Sequence, residues 1–261
     1  MDLRLNGKRA LVCGSTQGIG KASAIELAEL GATVILLARN ESKLQEVLKE
    51  LPVPAGQRHS YRVADFADAS QVNSVALALS AEGSIHILVN NTGGPPGGPA
   101  LSANAEEYSK AFSNHLLCNH YLVQAIVPGM KKDGYGRIIN IISTSVKMPI
   151  RGLGVSNTIR GAVASWSKTL SVELAPFGIT VNNVLPGASM TGRLESIIRD
   201  RAIKQQKTEE EVTREMVLEI PAGRISAPSE VAAAVAFLAT PAAGYINGIN
   251  VPVDGGRTGT L

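Results

Sequence analysis

Seven short runs of strand-forming residues, at 9–13, 33–37, 59–63, 85–89, 137–142, 179–184 and 249–253, are separated by long stretches of other chain. A two-residue turn can join antiparallel strands, but parallel neighbours need a crossover of about a dozen residues or more, usually a helix. The intervening segments supply those helices, with apolar residues at helical spacing over 20–30, 42–50, 70–81, 105–130, 156–175 and 229–239. Ile25, Leu27, Ala28 and Leu30 illustrate the spacing, and Gly31 stops that helix. The alternation predicts an α/β chain: one doubly wound, seven-stranded parallel sheet with helices on both faces, in a single domain spanning 1–261.

The turn from the first strand into the first helix reads Cys13-Gly14-Ser15-Thr16-Gln17-Gly18-Ile19-Gly20, with glycines spaced G-x3-G-x-G. Glycine lets the backbone come close to a pyrophosphate, and the free N–H groups and dipole at a helix start favour negative charge. Three glycines alone signal little, because turns need them anyway. Here they follow a strand, open a helix and precede a second strand at βαβ distance, which makes Gly14, Ser15, Gln17, Gly18, Ile19 and Gly20 candidate dinucleotide contacts. The end of the second strand selects the dinucleotide: an acid there would accept from a ribose 2′-hydroxyl, a base would pair with a 2′-phosphate. Ala38 and Arg39 stand there, so NADP(H) is expected.

Composition narrows the rest. With 25 Lys and Arg against 22 Asp and Glu, the net charge of +3 is too small to argue for nucleic acid or an anionic membrane as partner. No stretch approaches ~20 consecutive apolar residues, and the residues before Gly14 contain no signal-peptide core. Cys13 and Cys118 have no CxxC spacing, and His59, His86 and His120 have no metal-ligand spacing with a carboxylate. A soluble, cytoplasmic, metal-free protein is expected. The chain holds 26 Gly and 13 Pro but only one Trp, five Tyr and four Phe, which means frequent turns and close packing of helix on sheet.

These motifs resemble those of the short-chain dehydrogenase/reductase family, of the 3-oxoacyl-acyl-carrier-protein reductase type, and the resemblance runs nearly end to end. The glycine spacing is that family's. Asp65, with Phe66 after it, matches its adenine-contacting acid; Asn90-Asn91-Thr92-Gly93 matches its NNAG motif with Thr92 for Ala. Pro186, Gly187 and Thr191 match the stretch near the nicotinamide amide, and Val253-Asp254-Gly255-Gly256 the C-terminal strand and turn. The resemblance implies a single-domain Rossmann fold, cofactor contacts at Asp65, Phe66, Asn91, Gly93, Pro186, Gly187 and Thr191, a homotetramer, and hydride transfer between C4 of the nicotinamide and a small carbonyl or alcohol substrate.

At the catalytic positions the pattern departs from the family. Ser143 closes the fifth strand where the family serine stands, but the Tyr position 13 residues on is Ser156 and the Lys position is Arg160. Aligning on Gln124, Pro128 and Met130 puts the family's catalytic Asn at His115, with Asn114 one residue before; helix geometry turns such neighbours about 100° apart. An alkyl hydroxyl is far less acidic than a phenol, and Arg keeps its proton near neutral pH. Three readings follow. Ser143, Ser156, Arg160 and His115 form a modified catalytic set, with Arg160 also touching the nicotinamide ribose and His115 or a water relaying the proton; or the chain binds NADP(H) as a sensor or scaffold without reductase activity; or it is a non-redox enzyme, such as a dehydratase or isomerase, on the same fold. Ser145 and Lys147, on the Ser143 loop, are further polar groups near the proton path. The charged segment 189–219, flanked by Pro186 and Pro221, is expected to form a substrate lid. Trp166 is expected to serve packing or a subunit interface.

Overall fold

A computed structural model describes residues 1–260. Strands β1 (Arg9–Cys13), β2 (Thr33–Ala38), β3 (Ser60–Val63), β4 (Ile87–Asn90), β5 (Gly136–Ile141), β6 (Ile179–Pro186) and β7 (Asn250–Val253) form one sheet in the order β3-β2-β1-β4-β5-β6-β7, every pairing parallel. This is the doubly wound sheet expected from the alternation, in the Rossmann arrangement that the family resemblance implies.

Because successive strand residues point to opposite faces, each strand feeds two cores. Ala10, Val12, Val34, Leu36, Ile87 and Val89 pack against α1 (Gly18–Glu29), α2 (Glu41–Glu50) and α9 (Pro228–Ala239). Leu11, Cys13, Ile35, Leu37 and Leu88 pack on the other side against α3 (Ala69–Ala81) and α5 (Cys118–Asp133). The long α6 (Gly154–Leu174) lies on that side too, with Leu174 in the same cluster. Both faces are apolar, which is why the strands read as continuous Val, Ile and Leu runs. Trp166 packs beside the second core with its ring edge-on to His120, centroids 6.3 Å apart.

One expected element differs. The segment 105–130 is not one helix: α4 (Ala105–Phe112) passes through a π-helical turn, Ser113–Leu117, into α5. A π turn inserts an extra residue while the helix axis continues, so apolar periodicity hardly registers it, and such turns occur frequently at functional sites. The segment after β6 is helical as expected, forming α7 (Gly192–Gln205) and α8 (Glu209–Leu218), which enclose a small core of Leu194, Ile198, Ala202, Val212 and Met216.

Beneath the carboxyl ends of the strands runs a row of asparagine side chains. Asn90 Nδ2 donates to Asn140 Oδ1 (2.8 Å), Asn140 Nδ2 to Asn183 Oδ1 (3.0 Å) and Asn183 Nδ2 to Asn250 Oδ1 (2.8 Å). These residues are also register partners across β4, β5, β6 and β7. Asn140, fully buried, additionally donates to Ser167 Oγ on α6 at 3.2 Å. Replacing Asn140 by Ala should cost about 2–4 kcal/mol, because buried partners on both neighbours lose their bonds. Denaturant melts should show a lower midpoint with an unchanged slope; an unshifted midpoint would show that the row contributes nothing to stability.

Candidate active site

The sheet reverses its winding at β1, and in open α/β sheets the ligand crevice lies at the carboxyl ends of the strands where that happens. The glycine turn sits there. A Cβ on Gly20 would lie 2.2 Å from the Gly14 carbonyl oxygen, and one on Gly14 would lie 2.6 Å from the Asn91 carbonyl oxygen. Gly14 and Gly18 also have positive φ, 57° and 55°. Any side chain at Gly20 would force the turn open. Asn91 holds it shut from the β4 side, its Nδ2 donating to the carbonyls of Cys13 (3.3 Å) and Gly14 (3.2 Å).

The candidate contacts on this turn divide. Ser15 is fully buried and its Oγ accepts from Leu37 N at 3.1 Å, so its side chain ties the turn to β2 and leaves only its backbone as a candidate contact. Gln17 is exposed at the helix start, with no cap bond from its side chain, and Ile19 packs partly buried against the first core. Arg39 stands exposed at the end of β2, Nη1 3.9 Å from Asp65 Oδ2. Asp65 also receives Ala67 N at 3.0 Å, and the Phe66 carbonyl accepts from Cys118 Sγ. Gly93 has open space where a side chain would be. Across the cleft, Pro186 ends β6, and a Cβ on Gly187 would lie 2.7 Å from that of Asp254. Thr191 caps α7 through Leu194 N and leans over the glycine turn, its Cγ2 3.1 Å from where a Cβ on Gly18 would be.

At the catalytic end Ser143 follows β5, its Oγ accepting from Ser145 N at 3.1 Å; its own proton remains to donate. Ser145 is buried, and its Oγ has no partner among the described residues. Ser156 sits half-buried in the first turn of α6, in a stretch closed by Asn157, which donates to the Ile150 carbonyl at 2.9 Å. One turn on, Arg160 is 8% exposed and donates from Nη1 to the Ile141 carbonyl at 3.3 Å. No carboxylate pairs with it among the described residues, which leaves most of its five N–H donors without a protein acceptor. Burial first, and the charge of Arg193 second, lower its pKa to about 10, so it is still charged at neutral pH.

His115 lies in the π turn, 3% exposed, with Nδ1 2.5 Å from Thr92 Oγ1. Two of the departures from the family pattern therefore meet each other: Thr92 replaces the Ala of the NNAG motif, His115 replaces the Asn, and one hydrogen bond joins them. Burial, then the nearby Arg160 charge, lowers the His115 pKa to about 3. This disfavours the proton relay by His115 that the sequence leaves open: with a pKa that low, His115 is a neutral imidazole near neutral pH. Asn114, one residue earlier, faces elsewhere; its side-chain amide lies against the carbonyls of Phe66 (2.9 Å) and Lys110 (3.1 Å), an arrangement satisfied when the amide nitrogen is turned towards them. The other histidines are structural where their bonds are visible: His59 Nδ1 accepts from Val34 N, and His86 Nδ1 accepts from Arg9 N. Among the described residues no cluster of three or more His, Cys, Asp or Glu could hold a metal ion, and no helix is long and apolar enough to cross a membrane.

The residues present fit a dinucleotide on two observations: a side-chain-free turn at a helix start at the sheet's switch point, and a buried guanidinium with unused donors further along the cleft. Comparison with known proteins agrees. The sequence model of the enoyl-(acyl carrier protein) reductase family matches residues 14–258. A 3-oxoacyl-acyl-carrier-protein reductase of Vibrio cholerae is 34% identical over 97% of this chain and 98% of its own, and a 7alpha-hydroxysteroid dehydrogenase of Escherichia coli is 30% identical over 98% and 96%. Among solved structures, L-sorbose reductase from Gluconobacter frateurii, complexed with NADPH and L-sorbose, superposes with TM-score 0.93 at 29% identity over the full length of both chains. YwfH, an NADPH-dependent reductase involved in bacilysin biosynthesis, superposes with TM-score 0.92 at 26% identity over 97% of this chain and 99% of that one. The chain belongs to the short-chain dehydrogenase/reductase family of oxidoreductases.

Arg39, exposed at the end of β2 beside Asp65, is the residue on which cofactor choice should turn. NADPH should bind at least about tenfold more tightly than NADH, and Arg39→Ala should remove most of that difference, as expected for loss of a charge-assisted phosphate contact. Fluorescence titration of both cofactors checks this; equal affinities in the unaltered protein would contradict it.

Proposed function

We propose that this chain is an NADP(H)-dependent oxidoreductase interconverting a carbonyl and an alcohol, with Ser156 and Arg160 standing where the family has Tyr and Lys. The observation that carries the proposal is Arg160: a charged guanidinium, nine-tenths buried, with donors the protein does not use, one helical turn from Ser156. When bound, NADPH supplies the hydride from C4 of its nicotinamide. The chain's task is then to hold the cofactor, to stabilise the oxygen on which negative charge develops, and to deliver one proton to it.

Gly14, Gly18 and Gly20 hold the pyrophosphate, Arg39 the 2′-phosphate, Asp65 and Phe66 the adenine side, and Asn91, Gly93, Pro186, Gly187 and Thr191 the nicotinamide half. Arg160 donates to the nicotinamide ribose and places a fixed positive charge beside the carbonyl oxygen. The hydroxyls of Ser143 and Ser156 donate hydrogen bonds to that oxygen. Neither serine nor Arg160 loses a proton near neutral pH, so the proton consumed in making the alcohol comes from water, passed through the hydroxyls. His115, neutral and bonded to Thr92, acts as a hydrogen-bonding anchor for the cleft wall and not as a titrating acid. The helix pair at 189–219 serves as a lid over the substrate, resting on its own small core. We expect a homotetramer in the cytoplasm. The absence of Tyr at position 156 favours a second reading, a cofactor-binding sensor or scaffold without turnover.

A screen of NADPH oxidation against acyl thioesters, diketones, quinones and sugars separates the two readings. Turnover with at least one class, reduced about 10²–10³-fold in Ser143→Ala, supports the reductase. Bound cofactor with no turnover across the screen supports the sensor. For any substrate found, kcat/KM should stay flat between about pH 5 and 9, because His115 (about 3) is already neutral and Arg160 (about 10) is still charged there, and should fall as pH rises through 10 and Arg160 loses its proton. A break near pH 6–7 that disappears in His115→Ala would restore His115 as the proton relay.

A further inference from the structure

The cleft contains a second arginine that neither the glycine turn nor the catalytic positions account for. Arg193, in the first turn of α7, reaches across to the loop after β4 and donates from Nη2 to the Pro95 carbonyl at 2.7 Å. Arg160 approaches the same loop from α6. The two converge on Gly94: a Cβ built there would lie 3.9 Å from Arg160 Nη2, 3.8 Å from Arg193 Nε and 3.9 Å from Arg193 Nη2. Gly94 has no side chain to fill that point.

Two guanidiniums facing one spot repel each other, and burying one of them raises the cost. No carboxylate pairs with either among the described residues, and each donates only one hydrogen bond to the protein, both to backbone carbonyls. A carboxylate at this point would meet forked donors from both sides, the geometry in which Arg is strongest. We infer that Arg160 and Arg193 together bind an anionic group above Gly94, and that this group is the carboxylate of the substrate, which makes the preferred substrate an oxo acid or the corresponding hydroxy acid. The inference rests on the reductase reading for the chemistry at the carbonyl, but the anion site stands on the arginine geometry alone.

The cofactor's pyrophosphate is the other possible source of an anion, and the geometry disfavours it. Thr191 is the residue that leans over the glycine turn, at Gly18. Two residues later, Arg193 is committed instead to Pro95 and Gly94, on the loop after β4. An acid held there sits beside Arg160, one helical turn from Ser156, within a few bonds of a reducible carbonyl.

The test pairs 2-oxo and 3-oxo acids with their methyl esters, in the unaltered protein and in Arg193→Gln and Arg193→Lys. The expected result is a kcat/KM at least about tenfold higher for an acid than for its ester, and loss of that ratio in Arg193→Gln through a raised KM for the acid. Ester turnover and NADPH affinity should stay within about twofold, and Arg193→Lys should keep part of the preference. Equal turnover of acids and esters by the unaltered protein overturns the inference while leaving the reductase reading in place. Weakened NADPH binding in Arg193→Gln without a change in the acid-to-ester ratio also overturns it, assigning the anion to the cofactor. If nothing in the panel is reduced, calorimetric titration of oxalate into the NADPH complex decides. Binding that Arg193→Gln abolishes upholds the anion site while the reductase reading fails, and no binding overturns the site as well.

Discussion

The row of hydrogen bonds through Asn90, Asn140, Asn183 and Asn250 is the constraint from which the site takes its shape. A parallel sheet covered on both faces by apolar side chains has little to fix one strand's register against the next beyond its backbone ladder, because Val and Ile pack in many registers. A buried amide row has one satisfied alignment; slipping any strand by one residue turns its asparagine to the other face and strands the partners. Each asparagine stands a few residues before a loop of the cleft: Asn90 before Asn91, Asn140 before Ser143, Asn183 before Pro186, and Asn250 before Asp254. Locking the four strands thus levels the loops on which cofactor and substrate would rest. The bond from Asn140 to Ser167 extends the control to α6, the helix that bears Ser156 and Arg160.

On this frame the site works by fixed charge more than by titration. Burial disfavours the charged form of both: His115, at about 3, is therefore neutral, while Arg160, lowered only to about 10, stays charged in spite of it. The departures from the family's motifs are also not independent. Thr92 and His115 share a hydrogen bond, and the charge of Arg160 helps keep His115 neutral. A site that had merely lost its catalytic residues would have no reason to pair its replacements or to retain a buried cation, which is costly without a ligand to receive its hydrogen bonds.

Much of this was legible in the sequence. Seven strands and the helices between them followed from alternation, and the glycine turn from its spacing and context, because period and punctuation are local properties. What was not legible depended on which way a side chain points. Ser15 reads as a dinucleotide contact, yet its Oγ is turned inward to β2. His115 reads as a proton relay, but its burial is a property of the packed helices and not of its neighbours in sequence. The π turn that carries it leaves no mark on apolar spacing. Arg193 lies in a charged stretch that resembles any solvated helix, and only the return of that stretch to Gly94 and Pro95 gives it a role. The one available hint at the catalytic end was Thr92, a departure from the NNAG pattern placed next to another departure in space.

The central claim is that a chain without the family's tyrosine still moves a hydride between its cofactor and a carbonyl carbon. The most direct measurement is isotopic: NADPH carrying deuterium at both hydrogens of nicotinamide C4 is incubated with the protein and carbonyl compounds, and the products are analysed by mass spectrometry. The account expects an alcohol with one deuterium on the former carbonyl carbon, formed more slowly than with unlabelled NADPH when hydride transfer limits the rate. An alcohol free of deuterium, or cofactor recovered with its label intact after prolonged incubation, would contradict it.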